Sequence, residues 1–365
     1  MHKFNMKKQI RQLYGMTAIG YFQIAGASWV ALLAARGFSL LEIGVLESIF
    51  HMVSMCFEIP SGAVADVFGR KKTLLMSWCV CFLSNILMIF SEGFWSVALA
   101  IGFSAFSYNL SSGTREALAY DSLKYAGQEA SYDHYASTDM VAFRLSRSTA
   151  TLCAGLALIL GYQMAYTVDL VFCTGAILLT YGLIEVGVQG QEKEKKEGVA
   201  ERFKVVMEES VHFLIANKKA RRIMVVNALV GSVATLVLFF LQAKLPMTDL
   251  PSSLLGPALF LMELGAVLGA KLVAHVPKCR YRKLVSFSLI GVGCAFALTF
   301  SRKAGVMIAG GFLGALADDF LEVKTDVILN EMIPSEQRAT LVSVNSFLFS
   351  VVMIGMSTFM GAVMS

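Results

Sequence analysis

The chain has 365 residues, 56% of them hydrophobic and 16% charged, with a formal net charge of +5. A soluble domain carries about 25% charged residues. The shortage here is concentrated in uncharged runs: Tyr14–Ala35, Thr73–Ser91, Gly93–Thr114, Ser148–Val168 and Ile223–Ala243. A bilayer core needs roughly 20 apolar residues of helix, whereas barrel strands are about 10 residues long and alternate apolar with polar. The pattern excludes a soluble domain and a β-barrel and predicts an all-α polytopic membrane protein.

The basic segment Met1–Arg11 precedes an apolar run too long for the core of a cleavable signal, so that run is retained as the first helix. Predicted helices cover 14–35, 40–65, 73–91, 93–117, 138–160, 164–187, 222–244, 252–275, 283–301, 304–331 and 338–363, eleven in all. With the N-terminus inside, the inner connections hold 22 of the 31 Lys and Arg. The outer connections hold only Arg36, Lys244, Arg302 and Lys303. Basic residues accumulate on the cytoplasmic side, so the N-terminus is expected there. The positive charge then reflects topology, and nucleic acid is not an expected partner. Residues 188–221 are rich in Glu and Lys and carry Phe203, Val206, Met207, Val211 and Leu214 at helical spacing. That pattern predicts an amphipathic helix on the inner surface, dividing a six-helix bundle (1–187) from a five-helix bundle (222–365). The seven cysteines are expected to be free, buried thiols rather than a disulfide framework. Cys79 and Cys81 point to nearly opposite sides of a helix, which argues against a metal site.

Ionised side chains inside these helices are costly, about 2.5–3.5 kcal/mol at a helix centre, and usually line a cavity or pair together. The second predicted helix carries Glu47, His51, Ser54 and Glu58 at spacings that make one polar stripe. The fourth repeats the device with Asn109, Ser112, Glu116 and Tyr120, and the fifth places Arg144 and Arg147 one turn apart. Glu263 stands alone near the middle of the eighth, and the tenth holds Asp318, Asp319, Glu322, Lys324 and Asp326. Glu47, His51, Asn109, Glu263, Asp318, Asp319 and Glu322 are candidate lining of a substrate and proton-coupling cavity. Glu58, Arg115, Glu116, Arg144 and Arg147 lie nearer the inner ends, where a gate or latch is as consistent as a substrate contact. Gly265-x-x-x-Gly269 and Gly310-x-x-x-Gly314 are explained by close helix packing.

Between the second and third predicted helices stands Gly62-Ala-Val-Ala-Asp66-Val-Phe-Gly69-Arg70-Lys71-Lys72. Glycines at 62 and 69 permit a tight turn and close helix contact; Asp66 and Arg70 can pair across helices. This resembles the signature loop of the major facilitator superfamily, with Val67 in place of the usual basic residue. Glu58-Ile-Pro-Ser-Gly62, Arg115-Glu116-Ala-Leu-Ala-Tyr120-Asp121 and Arg338-Ala-Thr-Leu-Val-Ser-Val-Asn345 look like bacterial drug-efflux-type members. The resemblance implies a conformational latch of Gly62, Asp66, Gly69, Arg70, Lys71 and Asp121, with Asp66 near the start of helix 11 and Arg70 meeting an acid that ends helix 4. The matching turn of the second half, Gly269-Ala-Lys-Leu-Val273-Ala-His-Val276-Pro-Lys278, lacks the Asp and the second Gly. The fifth predicted helix lacks the Gly-Pro pattern common in antiporters. Family members have twelve helices, so a twelfth is expected to be missing by truncation.

These readings predict a secondary transporter of two pseudo-symmetric bundles in the bacterial cytoplasmic (inner) membrane. It would move a small amphiphilic organic solute by alternating access, with proton-coupled efflux as the expected mode. A carboxylate in a low-dielectric cavity holds its proton more tightly, so Glu47, Glu263 or Asp319 could couple a proton gradient to transport. Uptake of a nutrient, or a non-transporting receptor or inactive fragment, are the alternatives. No nucleophile–base set, nucleotide loop or metal cluster points to an enzyme. The expected partners are a small-molecule substrate and lipid, the expected state a monomer, and no cofactor beyond the proton gradient is called for.

Overall fold

The computed structural model describes residues 4–186, 208, 213, 215–275, 281–332 and 338–365. Among these every regular element is helical. Helices α1 (Met6–Gly20), α2 (Ile24–Ala27) and α3 (Trp29–Ala35) fill the first predicted stretch, followed by α4 (Leu40–Phe68), α5 (Arg70–Phe90), α6 (Phe94–Ser111) and α7 (Thr114–Tyr125). Next come α8 (Tyr132–Leu152), α9 (Ala154–Leu160) and α10 (Tyr162–Tyr181). The second half contributes α11 (Lys218–Lys244), α12 (Leu255–Leu272), α13 (Tyr281–Leu298), α14 (Ala304–Met332) and α15 (Arg338–Met364). The linker expected over 188–221 lies almost wholly outside the described residues.

Eight of these helices are long and apolar enough to cross a membrane, or nine if the bent pair Glu129–Leu152 and Ala154–Leu160 is one span. The expected eleven are not reached by that measure, for a local reason. The first predicted span is interrupted after Gly20 and again at Ser28, and the fourth at Ser112 and Gly113, where Gly113 takes a left-handed φ of +72°. Both breaks lie in uncharged sequence, so the charge pattern does not register them.

The described chain divides into two compact units. The first comprises Met1–Ala27, Val53–Cys153 and Leu160–Phe203; the second comprises Ser28–Met52, Ala154–Ile159 and Lys204–Ser365. In the first, Leu13, Met16, Leu74, Trp78, Leu118 and Cys173 form the core. Helices α5 and α6 are clasped by reciprocal bonds, Ser77 Oγ donating to the Ser107 carbonyl (2.8 Å) and Ser107 Oγ to the Ser77 carbonyl (2.9 Å). A serine bonded to a neighbouring helix satisfies its hydroxyl where water is absent.

In the second unit, α12 packs on α14 and α14 on α13 through small residues. A Cβ on Gly265 or Gly269 would strike the carbonyl of Phe312 or Leu316, and Gly310 and Gly314 face Leu298 and Ala295. That is the close approach expected of both small-residue motifs. Residues 40–52 of α4 lie equally close to α15: Gly44 abuts the Ser357 carbonyl and Gly361 the Leu40 carbonyl. Ser48 Oγ bonds the Ile354 carbonyl (2.8 Å), Ser357 Oγ (2.7 Å) and Thr358 Oγ1 (2.8 Å) across this seam. Gly155 of α9 meets the Ser252 carbonyl in the same way.

Among the described residues six cysteines are free, as expected, but Cys56, Cys79 and Cys294 are exposed rather than buried, and Cys279 lies outside the described residues. A thiol is apolar enough to face lipid, so a hydrophobic helix does not require it inside.

Candidate functional site

The signature segment is built around Gly69. Helix α4 ends at Phe68 and α5 starts at Arg70, so the reversal falls on one residue, which adopts φ +91°. Only glycine takes that conformation without strain. The Glu185 side chain then approaches Gly69 closely and accepts from the amides of Arg70 (3.0 Å) and Lys71 (2.8 Å), capping α5. A carboxylate at a helix N-terminus answers both the free N–H groups and the helix dipole. Arg70 NH1 pairs with Asp121 of α7 and donates to the Ala117 carbonyl (2.9 Å), and the Lys71 ammonium lies 5.4 Å from the Tyr181 ring centroid. Gly62 sits inside α4 at an exposed position where a Cβ would meet nothing within 4 Å among the described residues. The side chains of Asp66 and Arg338 lie outside what is described.

A second cluster in the same unit joins α1, α7 and α8. Arg115 NH2 donates to Glu116 Oε1 (2.7 Å), and Arg115 Nε stands 3.2 Å from Asp139 Oδ2, at ion-pair distance but without the angle of a hydrogen bond. Asp139, 3% exposed, accepts from Thr17 Oγ1 at 2.7 Å. The guanidinium lies over the Tyr21 ring, 5.3 Å from its centroid. An ion taken from water loses several kcal/mol of hydration, which explains why three charges are gathered here rather than one. Glu58 and Arg144 are exposed, and Arg147, also exposed, lies over Phe143 at 5.9 Å, whose ring stands 4.8 Å from that of Tyr21 beneath Arg115. Asn109 is buried and commits its amide to Ser54, accepting from Oγ (3.1 Å) and donating to the carbonyl (2.9 Å). That makes it a tie between α6 and α4.

Asp169 of α10 is fully buried and was not signalled by any periodicity. Its Oδ1 accepts from the amides of Ile24 (2.7 Å) and Ala25 (3.3 Å), and Oδ2 from that of Gly26 (3.0 Å). The amides exposed by the α1–α2 break are thereby answered by one side chain more than 140 residues away.

In the second unit Glu47 and His51, one turn apart on α4, approach to 3.3 Å (Oε1 to Nε2). His51 Nδ1 stands 3.4 Å from Ser350 Oγ, and its ring lies 5.8 Å from that of Phe349, both on α15. Asp318 of α14 rests beside Gly231 of α11, where a Cβ would stand 3.4 Å from its Oδ1 and 3.6 Å from the Phe349 ring. Phe349 is thus a neighbour of the His51 imidazole and shares the Gly231 position with the Asp318 carboxylate. Asp319 and Glu263 are half-buried and Glu322 is exposed. Among the described residues no group of His, Cys, Asp or Glu could hold a metal ion.

The arrangement is that of a helical membrane protein with buried ion pairs and a capped reversal after its second long helix, and a profile of the Major Facilitator Superfamily matches residues 13–357. The chain belongs to this family. A relative in Bacillus subtilis (strain 168), named "Uncharacterized MFS-type transporter YxaM", is 21% identical over 336 residues, covering 87% of this chain and 79% of that protein. A crystal structure of a point mutant of nucleoside transporter NupG is similar with a TM-score of 0.79 at 14% identity, covering 98% of this chain and 91% of that one. One of a D-xylose-proton symporter gives 0.66 at 10% identity, covering 97% and 88%. This major facilitator protein is thus a non-enzymatic integral membrane transporter of small molecules. Sequence reasoning missed Thr17, Asp139, Asp169 and Glu185. Asp139, Asp169 and Glu185 each carried a signal, an acid within a predicted helix, whereas Thr17 carried none.

Proposed function

We propose that the chain is a proton-coupled secondary transporter that exports a small amphiphilic organic solute by alternating access. It acts as a monomer in a bacterial inner membrane, with the N-terminus inside and eleven crossings when each broken helix counts once. The observation that carries the proton coupling is the Glu47–His51 pair, 3.3 Å apart and set against Phe349, which shares the Gly231 position with Asp318. A carboxylate and an imidazole in contact can hold one exchangeable proton, and its gain or loss changes the charge facing α15. Two states that differ in that charge differ in their affinity for the proton, which is the requirement for coupling. Asp319 and Glu263 are further candidates on the same argument. The Arg70–Asp121 latch supports a conformational cycle at the inner end.

The test is made in proteoliposomes with an imposed pH gradient and a panel of labelled amphiphilic solutes. The wild type is expected to concentrate at least one solute against its gradient. Glu47→Gln or Asp318→Asn should abolish gradient-driven accumulation while leaving downhill exchange. Normal accumulation in both variants, and in Asp319→Asn and Glu263→Gln, removes proton coupling through these groups. Uptake is the second reading, favoured by the nucleoside transporter and D-xylose-proton symporter among the similar folds. Everted and right-side-out vesicles separate the two directions.

A further inference from the structure

Besides Arg115 Nε, which stands 3.2 Å from Asp139 Oδ2, three polar atoms in the cluster of α1, α7 and α8 are buried without a hydrogen-bond partner among the described residues: Arg115 NH1, Glu116 Oε2 and the Tyr135 hydroxyl. Unbonded buried polar atoms are rare in folded proteins, a few per hundred residues. Here they share one place. Arg115 and Glu116 are bonded to each other, and Tyr135 is one turn before Asp139 on α8, which brings its ring to the same face as the carboxylate paired with Arg115. Tyr135 is only 2% exposed and is stacked on Tyr14 at 5.2 Å.

The three atoms differ in what they ask for. Arg115 NH1 can only donate, Glu116 Oε2 as a carboxylate can only accept, and the Tyr135 hydroxyl can do either. An anionic ligand group would satisfy Arg115 but meet Glu116 and Asp139. A cation would satisfy the carboxylates and leave Arg115 NH1 bare. A neutral hydroxyl accepts from Arg115 while donating to Glu116, and a second hydroxyl beside it reaches Tyr135. The Tyr21 ring under the guanidinium offers an apolar surface for the body of such a molecule.

Resting on the transport reading above, we propose that Arg115, Glu116 and Tyr135 form a binding subsite for an uncharged solute carrying neighbouring hydroxyl groups, as in a glycoside or a ribonucleoside. A site that leaves buried polar groups bare rejects the analogue lacking the hydroxyls.

The experiment measures dissociation constants by isothermal titration on the full chain in lipid nanodiscs. The probes are phenyl β-D-glucopyranoside and uridine, with 2′,3′-dideoxyuridine, phenylacetate and benzyltrimethylammonium as controls. At least one hydroxylated probe should bind, and the controls should bind about 10-fold more weakly or worse. Tyr135→Phe removes an oxygen that bonds nothing among the described residues, so the fold should survive it. It should weaken the hydroxylated probe about 3- to 10-fold, the worth of one neutral hydrogen bond. Glu116→Gln should weaken it about 10- to 100-fold, the worth of a charged one. Equal affinity in wild type and Tyr135→Phe overturns the proposal and assigns the three atoms to ordered water. So does tighter binding of a charged control, or no binding of either hydroxylated probe. If the proteoliposome panel still shows accumulation of another solute in those cases, the transport reading stands without this subsite.

Discussion

Replacing Asp169 tests whether a break in a membrane helix can be held by one remote carboxylate. The Ile24 and Gly26 amides donate to it at 2.7 and 3.0 Å, and the Ala25 amide, at 3.3 Å, shares the first oxygen. Each hydrogen bond to a charged group is worth about 1.5–3 kcal/mol, so the two short bonds together contribute about 3–6 kcal/mol. Removing the carboxylate also relieves the cost of burying it, leaving a net loss of about 2–4 kcal/mol for Asp169→Ala. Asparagine keeps one oxygen for Ile24 and Ala25 but turns an NH2 group towards the Gly26 amide, a loss of about 1–2 kcal/mol. Thermal stability, followed as the monodisperse fraction of purified protein after heating, should fall in the order wild type, Asn, Ala. Hydrogen exchange at residues 24–26 should accelerate in the same order. An alanine variant that melts with the wild type, with those amides still protected, would refute the reasoning and place the hold on this break elsewhere.

At the latch, Arg70→Ala should slow flux while leaving solute binding largely intact, because the lost pairs with Asp121 and the Ala117 carbonyl belong to one state of the cycle; equal losses in binding and flux would make the segment a folding element. At the α4–α15 seam, Gly44→Val must displace the Ser357 backbone and should cost about 1–3 kcal/mol in thermal stability. Gly102→Ala, whose Cβ would meet only Val53 among the described residues, at 3.8 Å, should be neutral or stabilising, and equal stabilities for the two would contradict the packing argument. For orientation, a cysteine-free version carrying Lys195→Cys should label only from the cytoplasm in intact cells, and labelling from outside reverses the topology.

Much of this was legible from periodicity and charge. The long helices α4, α5 and α10–α15 were readable because apolar runs and charged connections alternate. The pair Arg70 and Asp121 was readable through the resemblance of two short segments. What escaped depends on tertiary proximity. Arg115 and Asp139 stand on different helices, and nothing in either stretch indicates that they meet. Asp169 caps amides near residue 25, and although Gly20 and Gly26 flank that break, nothing in the sequence says that the acid answering it stands on α10. Asn109 stood out because it is polar in an apolar helix, but its bonds to Ser54, a tie of the kind helix pairs use in lipid, could not be read from the sequence.

The seam between residues 40–52 and α15 has a bearing on reversibility. Its hydroxyls have bonds waiting on their own helices: Ser48 Oγ already reaches the Gly44 carbonyl at 3.1 Å, and Ser357 Oγ the Met353 carbonyl at 2.6 Å. Should the two helices part, these groups would keep a partner without recruiting water, and glycine surfaces have no rotamers to reorganise. Such a joint separates with little hysteresis: the parted faces are already in the shape needed to meet again. A seam of leucines would have to repack at each closure, and a seam of ion pairs would have to be dehydrated afresh.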